Sequence, residues 1–369
     1  MTKENLYVDI HVLQTVPSSN INRDDSGAPK TALYGGVMRA RVSSQSWKRA
    51  IRKAFCAESN GKEWLNSFRT KKFPMLLAEK VQEKMPGVGE KEALEKSLEL
   101  LKAAGIKVSK DKNTGEQLTG ALVFVSVGQL EKLADYIINH PVLHDEDKKA
   151  IKNGFNAASS LDLALFGRMV ADDPELNVDA AAQVAHAIST HEVIPEFDYF
   201  TGLDDVRADD TAGAAMLGTM EYNSSTLYRY ANVNMYELVH NLGKELADKG
   251  LELFIKDFIM SMPTGKQNSY ANKTVPQYVL VTLRKDTPVN LVSAFEEPVE
   301  SRNGYVMPSI KKLEKEFEST CQWVEKPLLT VVLTGKETTL EAKATNLQAL
   351  LDKVTDGMKR VMADGCIDN

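Results

Sequence analysis

Seven basic residues, Lys30, Arg39, Arg41, Lys48, Arg49, Arg52 and Lys53, stand between positions 26 and 57 with no Asp or Glu among them. The chain as a whole carries a formal charge of −6, so the remainder sums to −13. Phosphate binding needs concentrated Lys and Arg, and charge asymmetry of this kind points to an anionic partner held at one place. At a helical turn of 100° per residue, Gln45, Lys48, Arg49 and Arg52 fall within roughly a 100° arc, while Trp47, Ile51 and Ala54 lie opposite. One face packs and the other meets anions. A charge run is usually a solvated face, but here the acids that balance such a face are missing, and Gln45 adds a donor that fixes register on a phosphate backbone. A second polar stretch, PTGKQNSY at 263–270, repeats the logic with Lys266, Gln267 and no acid. Tyr199 and Phe200 can either pack in a core or stack on bases.

Catalytic signatures are sparse. No GxSxG elbow, GxxxxGK[ST] loop or GxGxxG after a strand occurs. The GVG at 87–89 reads as a turn. Asp24 and Asp25 form the carboxylate pair nearest the basic stretch and could hold Mg²⁺ for phosphodiester cleavage. They could equally pair with Arg23 or cap a turn. His140 and His144 have i, i+4 spacing, but Pro141 interrupts them and no HExxH glutamate accompanies them. Cys56, Cys321 and Cys366 are scattered, giving neither a disulfide framework nor a CxxC half-site. We expect a non-enzymatic binding protein with no metal and no cofactor. No run of about 18 apolar residues exists, and Lys3, Glu4 and Asp9 stand where a signal peptide needs an apolar core, so a cytoplasmic location without membrane contact is expected.

The elements that must position these residues follow from periodicity and turn chemistry. A strand is predicted over 6–13 and a long loop over 17–36, rich in Asn, Asp, Gly and Pro. Ser43 and Ser44 offer N-caps for a helix to about Glu58. Two exposed helices over 64–107 break at Pro86-Gly87. A buried strand at 121–127 and helices over 128–139 and 145–156 follow. Residues 177–190 (NVDAAAQVAHAIST) fit both a helix and a strand, with His186 the polar intruder. Residues 192–219 read as an extended excursion with a Gly/Ala/Asp-rich tip at 204–215, returning as a strand over 226–234. Helices over 235–249 and 251–262, strands at 278–283 and 328–333, and a terminal amphipathic helix over 339–362 complete the chain.

The ordered series NRDD (22–25), Lys30, Tyr34-Gly35-Gly36, RVSSQSWKRAIRK (41–53), GRM (167–169), AHAISTHEV (185–193), DYFTGLDD (198–205), LGT (217–219), YRYANVN (228–234), PTGKQNSYA (263–271) and SAFE (293–296) resembles the CasC family, the backbone subunit of the type I-E CRISPR Cascade complex. The resemblance implies an α+β fold: a modified RNA-recognition-motif (ferredoxin-like) palm over 1–60, 159–190 and 226–369, inserted helical fingers over 61–158, and a protruding β-hairpin thumb over 191–225. It implies copies of the chain polymerising along a crRNA, presenting it for pairing with target DNA beside other Cascade subunits. Arg23, Lys30, Ser43, Gln45, Lys48, Arg49 and Arg52 would contact the guide backbone, with Lys266 and Gln267 lining the same groove. Met169 would pack against bases, and Tyr199, Phe200 and Thr201 would sit where the thumb meets RNA and the neighbouring copy. It also makes 177–190 a palm strand. The alternative is a metal-dependent ribonuclease using Asp24 or Asp25.

Overall fold

The structure is a computed structural model describing residues 5–170, 173–202 and 216–364. Where the sequence predicts a long loop over 17–36, β1 (Tyr7–Ser19) runs on to Ser19, and β2 (Thr31–Tyr34) pairs antiparallel with β3 (Val37–Val42). Only 20–30 remains as loop. The turn at Gly35-Gly36 has positive φ at both residues, 59° and 79°, which suits a two-residue hairpin. The abundance of turn residues hid a strand too short to show alternation. Helix α1 (Ser44–Ala57) matches its expected bounds.

Then come β4 (Ser67–Thr70), a strand where helix is expected, and α2 (Phe73–Lys84) and α3 (Glu90–Ala103), which split at Pro86-Gly87 as expected. Instead of lying exposed, these two helices each bury a face, Phe73, Leu77 and Val81 on one and Leu100 and Leu101 on the other. They are followed by β5 (Val108–Lys110), β6 (Gln117–Thr119), β7 (Val123–Ser126), α4 (Val127–Asn139), α5 (Lys148–Asn156) and α6 (Leu161–Phe166). The ambiguous 177–190 resolves into two short strands, β8 (Ala182–Val184) and β9 (Ala187–Ser189), so the run is strand only in its second part. The excursion is a hairpin of β10 (Glu196–Gly202) with the start of β11 (Met216–Asn234), in the register Glu196↔Tyr222 to Gly202↔Met216. The expected tip, 204–215, lies outside the described residues.

After it, α7 (Met235–Leu242) and α8 (Lys244–Met260) divide at Gly243 rather than at 250. The chain ends with α9 (Gln267–Tyr270), β12 (Tyr278–Arg284), α10 (Val306–Thr320), β13 (Leu329–Thr334) and α11 (Leu347–Asp364). Helix α10 went unpredicted, and α11 starts later than expected.

The chain divides into two units, one of Met1–Ile51, Val184–Asn232 and Glu252–Asn369, the other of Arg52–Gln183 and Val233–Leu251. The large sheet runs β13-β12-β1-β11-β9-β3-β2 among the described residues, with β8 and β10 also paired to β11. Its pairs β1–β12, β12–β13, β9–β11, β3–β9 and β2–β3 are antiparallel. Within the first unit both faces of this sheet are covered. Leu13 and Val16 of β1, of opposite parity, join different clusters. Leu13 packs with Tyr228, Leu280 and Phe317 of α10, and Val16 with Trp47 of α1, Val42 and Leu227. The second unit gathers Phe73, Leu77 and Val81 of α2, Leu100 of α3, Leu133 of α4 and Phe155 of α5 around Val125 of β7. The whole is a mixed α/β architecture.

Candidate nucleic-acid interface

The N-terminus of α1 is held by the side chain of Ser43, which precedes it, and by two from elsewhere in the chain, Asn22 and His186. The Ser43 hydroxyl accepts from the Ser46 N–H at 3.3 Å, the expected cap. The Ser43 N–H itself donates to Asn22 Oδ1 at 2.8 Å, tying the helix to the 20–30 loop. The Ser44 N–H donates to His186 Nδ1 at 2.8 Å. His186 is therefore a neutral imidazole; burial, with Arg41 and Lys30 nearby, holds its pKa below the ordinary histidine value. The sequence marks His186 only as a polar residue in a strand. Its capping role depends on a contact 142 positions away.

The loop itself is internally braced. Lys30 N–H donates to Asn22 O at 2.9 Å, and Arg41 N–H to Lys30 O at 2.9 Å, while Arg23 bridges to Pro29. Arg23 is exposed and Lys30 half-buried on this frame. One oxygen of Asp24 accepts from Ser26 N–H at 2.9 Å, Ser26 Oγ at 2.7 Å and Ala28 N–H at 3.0 Å. The Ser26 hydroxyl leads the hydrogen bonds that hold this carboxyl below the usual carboxylate range. Asp24 thus caps a turn, the plainer of its two sequence readings; Asp25 is exposed beside it. Among the described residues no group of three or more His, Cys, Asp or Glu is placed to hold a metal ion.

Two further segments meet the loop. Asn20 Nδ2 donates to Gly27 O at 2.9 Å and to Glu221 O of β11 at 3.1 Å, joining the loop to the hairpin. The stretch 263–270 packs so closely on the loop that a Cβ at Gly265 would stand 2.4 Å from Ile21 O. Lys266 and Gln267, both half-buried, follow directly. Tyr270, which the sequence reading did not single out, donates to Met220 Sδ at 3.1 Å, and its ring lies 6.2 Å from that of Tyr222. In β10, Phe197, Tyr199 and Thr201 share one face, and Tyr199 is 65% exposed. Phe200 points the other way and lies over its cross-strand partner, where a Cβ on Gly218 would meet the ring at 2.3 Å. Within the first unit, Arg23, Lys30, Ser43, Lys266 and Gln267 therefore belong to one connected frame, to which Tyr199, Phe200 and Thr201 are joined through the hairpin. Gln45, Lys48 and Arg49 extend it along α1.

The basic arc is not uniform. Gln45, Arg49 and Lys53 are exposed, and burial holds the half-buried Lys48 ammonium below the ordinary lysine range. Arg52 is not left facing solvent as the arc implies. Its Nε donates to Asp162 at 2.7 Å, it also bonds Ser67, and its guanidinium lies 4.5 Å over the Phe124 ring. The missing acid is supplied by α6. Arg39, one of the seven cations, is wholly buried, donating to Tyr34 O at 3.1 Å, Ser189 O at 3.0 Å and Phe295 O at 2.8 Å. Arg52 and Met169 belong to the second unit, where Met169 is strongly exposed.

The arrangement is a cationic frame around braced loops beside an aromatic hairpin face. Two solved structures share the fold over nearly the whole length. A chain of a "CRISPR RNA-guided surveillance complex, pre-nicking" matches with a TM-score of 0.83 at 30% identity, over 95% of this chain and 99% of that one. A chain of a "CRISPR RNA-guided surveillance complex" matches with a TM-score of 0.72 at 28% identity, over 95% and 99%. The protein is thus similar in class to chains of these assemblies. It belongs to the CT1975-like protein family (Cas_CT1975), whose model matches residues 8–357. No curated protein matches it. No helix among the described residues is long and apolar enough to cross a membrane.

Proposed function

We propose that the chain is a crRNA-binding backbone subunit of a CRISPR surveillance complex, of the CasC kind found in type I-E Cascade. Copies of it polymerise along one guide and present the guide for pairing with target DNA, beside other Cascade subunits in the cytoplasm. The observation that carries this reading is the convergence of the 20–30 loop, the capped start of α1, the 263–270 stretch and the hairpin on one frame in the first unit. Its cations suit a phosphate backbone, and Tyr199 offers a ring to bases. In this reading the large sheet with its helices is the modified RNA-recognition-motif palm, residues 61–158 of the second unit supply the fingers, and the β10–β11 hairpin is the thumb. The guide reads sequence and the protein holds its backbone, as in other RNA-guided effectors.

The chain acts without catalysis in this reading; one oxygen of Asp24 serves the turn at Ser26 and Ala28, and exposed Asp25 is the acid on which the ribonuclease alternative rests. Co-expression with a guide followed by native mass measurement tests the scaffold. Several copies per RNA of defined length are expected; a monomer, or one binding any RNA singly, sinks it. Incubating the complex with complementary RNA and Mg²⁺ tests the other half: periodic cuts abolished by Asp24→Ala or Asp25→Ala establish a ribonuclease instead.

A further inference from the structure

Arg168 and Met169 are adjacent in sequence and opposite in environment, 5% and 86% exposed. Arg168 spends its whole guanidinium inside the second unit. Nε donates to Leu176 O at 2.7 Å, Nη1 to Phe124 O and Gln129 Oε1, each at 3.3 Å, and Nη2 to Phe155 O at 3.1 Å and Asn156 Oδ1 at 3.0 Å. An arginine has five N–H donors in a planar fork, and here each has an acceptor. The backbone is fastened as well. Arg168 and Val178 exchange N–H···O bonds of 3.0 and 2.9 Å, and Val170 N–H donates to Asn177 Oδ1 at 2.6 Å. At Gly167 a Cβ would stand 2.6 Å from Val178 O. The chain is therefore clamped on both sides of Met169, and only the methionine side chain is left in the open.

A clamped backbone carrying an unbranched apolar side chain removes an ordering cost from binding, since the geometry is set when the protein folds. We infer that Arg168 is a positioning residue, which fixes the backbone from which Met169 meets the bases of a bound nucleic acid. This rests on the guide-RNA reading above and on the place against bases that the CasC resemblance gives Met169. It explains why arginine occupies the place: a lysine ammonium is a point donor and cannot serve five acceptors spread over a planar fork.

The test uses the assembled complex with a guide carrying the stacking-sensitive base 2-aminopurine at successive positions, and measures its emission and the dissociation rate of a complementary strand. Met169→Ala should alter emission at one or more positions and speed dissociation roughly threefold or more, and Arg168→Lys should do the same with no added effect in the double variant, as expected for coupled residues. Asn177→Ala, at an exposed side chain, should act in the same direction and less strongly. It decides the matter through its own cycle with Met169→Ala if Arg168→Lys fails to fold. A silent Met169→Ala overturns the base-packing reading and this inference with it. An active Met169→Ala with silent or additive Arg168→Lys and Asn177→Ala overturns the inference alone.

Discussion

The guanidinium of Arg229 on β11 lies 3.8 Å over the indole ring of Trp47 on α1. Both are buried, and the same guanidinium donates to Gln14 Oε1 at 2.6 Å and to Phe258 O. The indole is thus one of the contacts that seat α1 on the sheet, beside the Asn22 and His186 bonds at the helix start. Trp47→Ala should cost about 3–5 kcal/mol, as truncation of a large buried aromatic does, while Trp47→Phe keeps a ring under Arg229 and costs less. Denaturant unfolding of the two variants measures this; equal midpoints for Trp47→Ala and the parent would show that the helix is seated by something else.

Arg49 and Arg52 share a helix and differ in what they do. Asp162 is 2% exposed, so Arg52→Ala strands a buried carboxylate and should destabilise the protein by on the order of 3 kcal/mol. Asp162→Asn added to Arg52→Ala should restore part of that, because the stranded charge is gone. Arg49→Ala, at an exposed position, should stay within about 0.5 kcal/mol of the parent. Unfolding midpoints of the three variants decide it, and a neutral Arg52→Ala would return Arg52 to the solvent-facing arc.

The contrast shows what the sequence makes legible. Helix α1 and its buried Trp47 and Ile51 follow from local periodicity and from Ser43 as a cap, because both are properties of neighbouring residues. The balance of charge does not, since Asp162 lies 110 positions beyond Arg52 and Arg39 finds its carbonyl acceptors as far away as Phe295. The hairpin β2–β3 is not evident from the sequence because the four residues of β2 carry too little alternation to outweigh the Gly, Pro and Asp around them. The capping of α1 by His186, and the seating of the 263–270 stretch on Ile21, are tertiary facts with no local signal beyond an out-of-place polar residue and a glycine.

Acid should weaken the protein through its histidines. Burial holds His11 down to about 3 from an unfolded value of 6.5, and also lowers His186 and His191. A depressed folded pKa means the native state resists protonation. The stability this confers is present above about 6.5 and is lost as pH falls from there through the folded values. Asp9 runs the other way: burial raises its carboxyl to about 7, so its contribution is full below the ordinary Asp value of 3.8 and fades as pH climbs through 7. His11→Gln, which keeps a polar partner for the Tyr228 hydroxyl 2.9 Å away, should make the urea midpoint change less unfavourably than the parent's as pH falls from 6.5 to 4, the window in which Asp9 gains. Parallel declines in the two proteins would remove His11 from the account.

If the proposed guide-RNA contact holds, salt dependence separates the cations that would meet a phosphate from those that hold the fold. Removing one cation that neutralises a phosphate of a single strand should reduce the slope of log affinity against log salt by roughly 0.7. Lys48→Ala with Arg49→Ala should therefore weaken guide-RNA retention and flatten that slope, with a smaller loss of unfolding midpoint than Arg39→Met, because Arg49 is exposed and Lys48 half-buried. Arg39→Met should do the reverse. Its guanidinium is wholly buried against the carbonyls of Tyr34, Ser189 and Phe295, so its removal lowers stability and leaves the slope of the folded fraction unchanged. Filter binding across a salt series, with unfolding measured on the same samples, reads both quantities. If Arg39→Met flattens the slope as much as the α1 pair does, the density of the basic stretch rather than the exposed face of one helix grips the RNA.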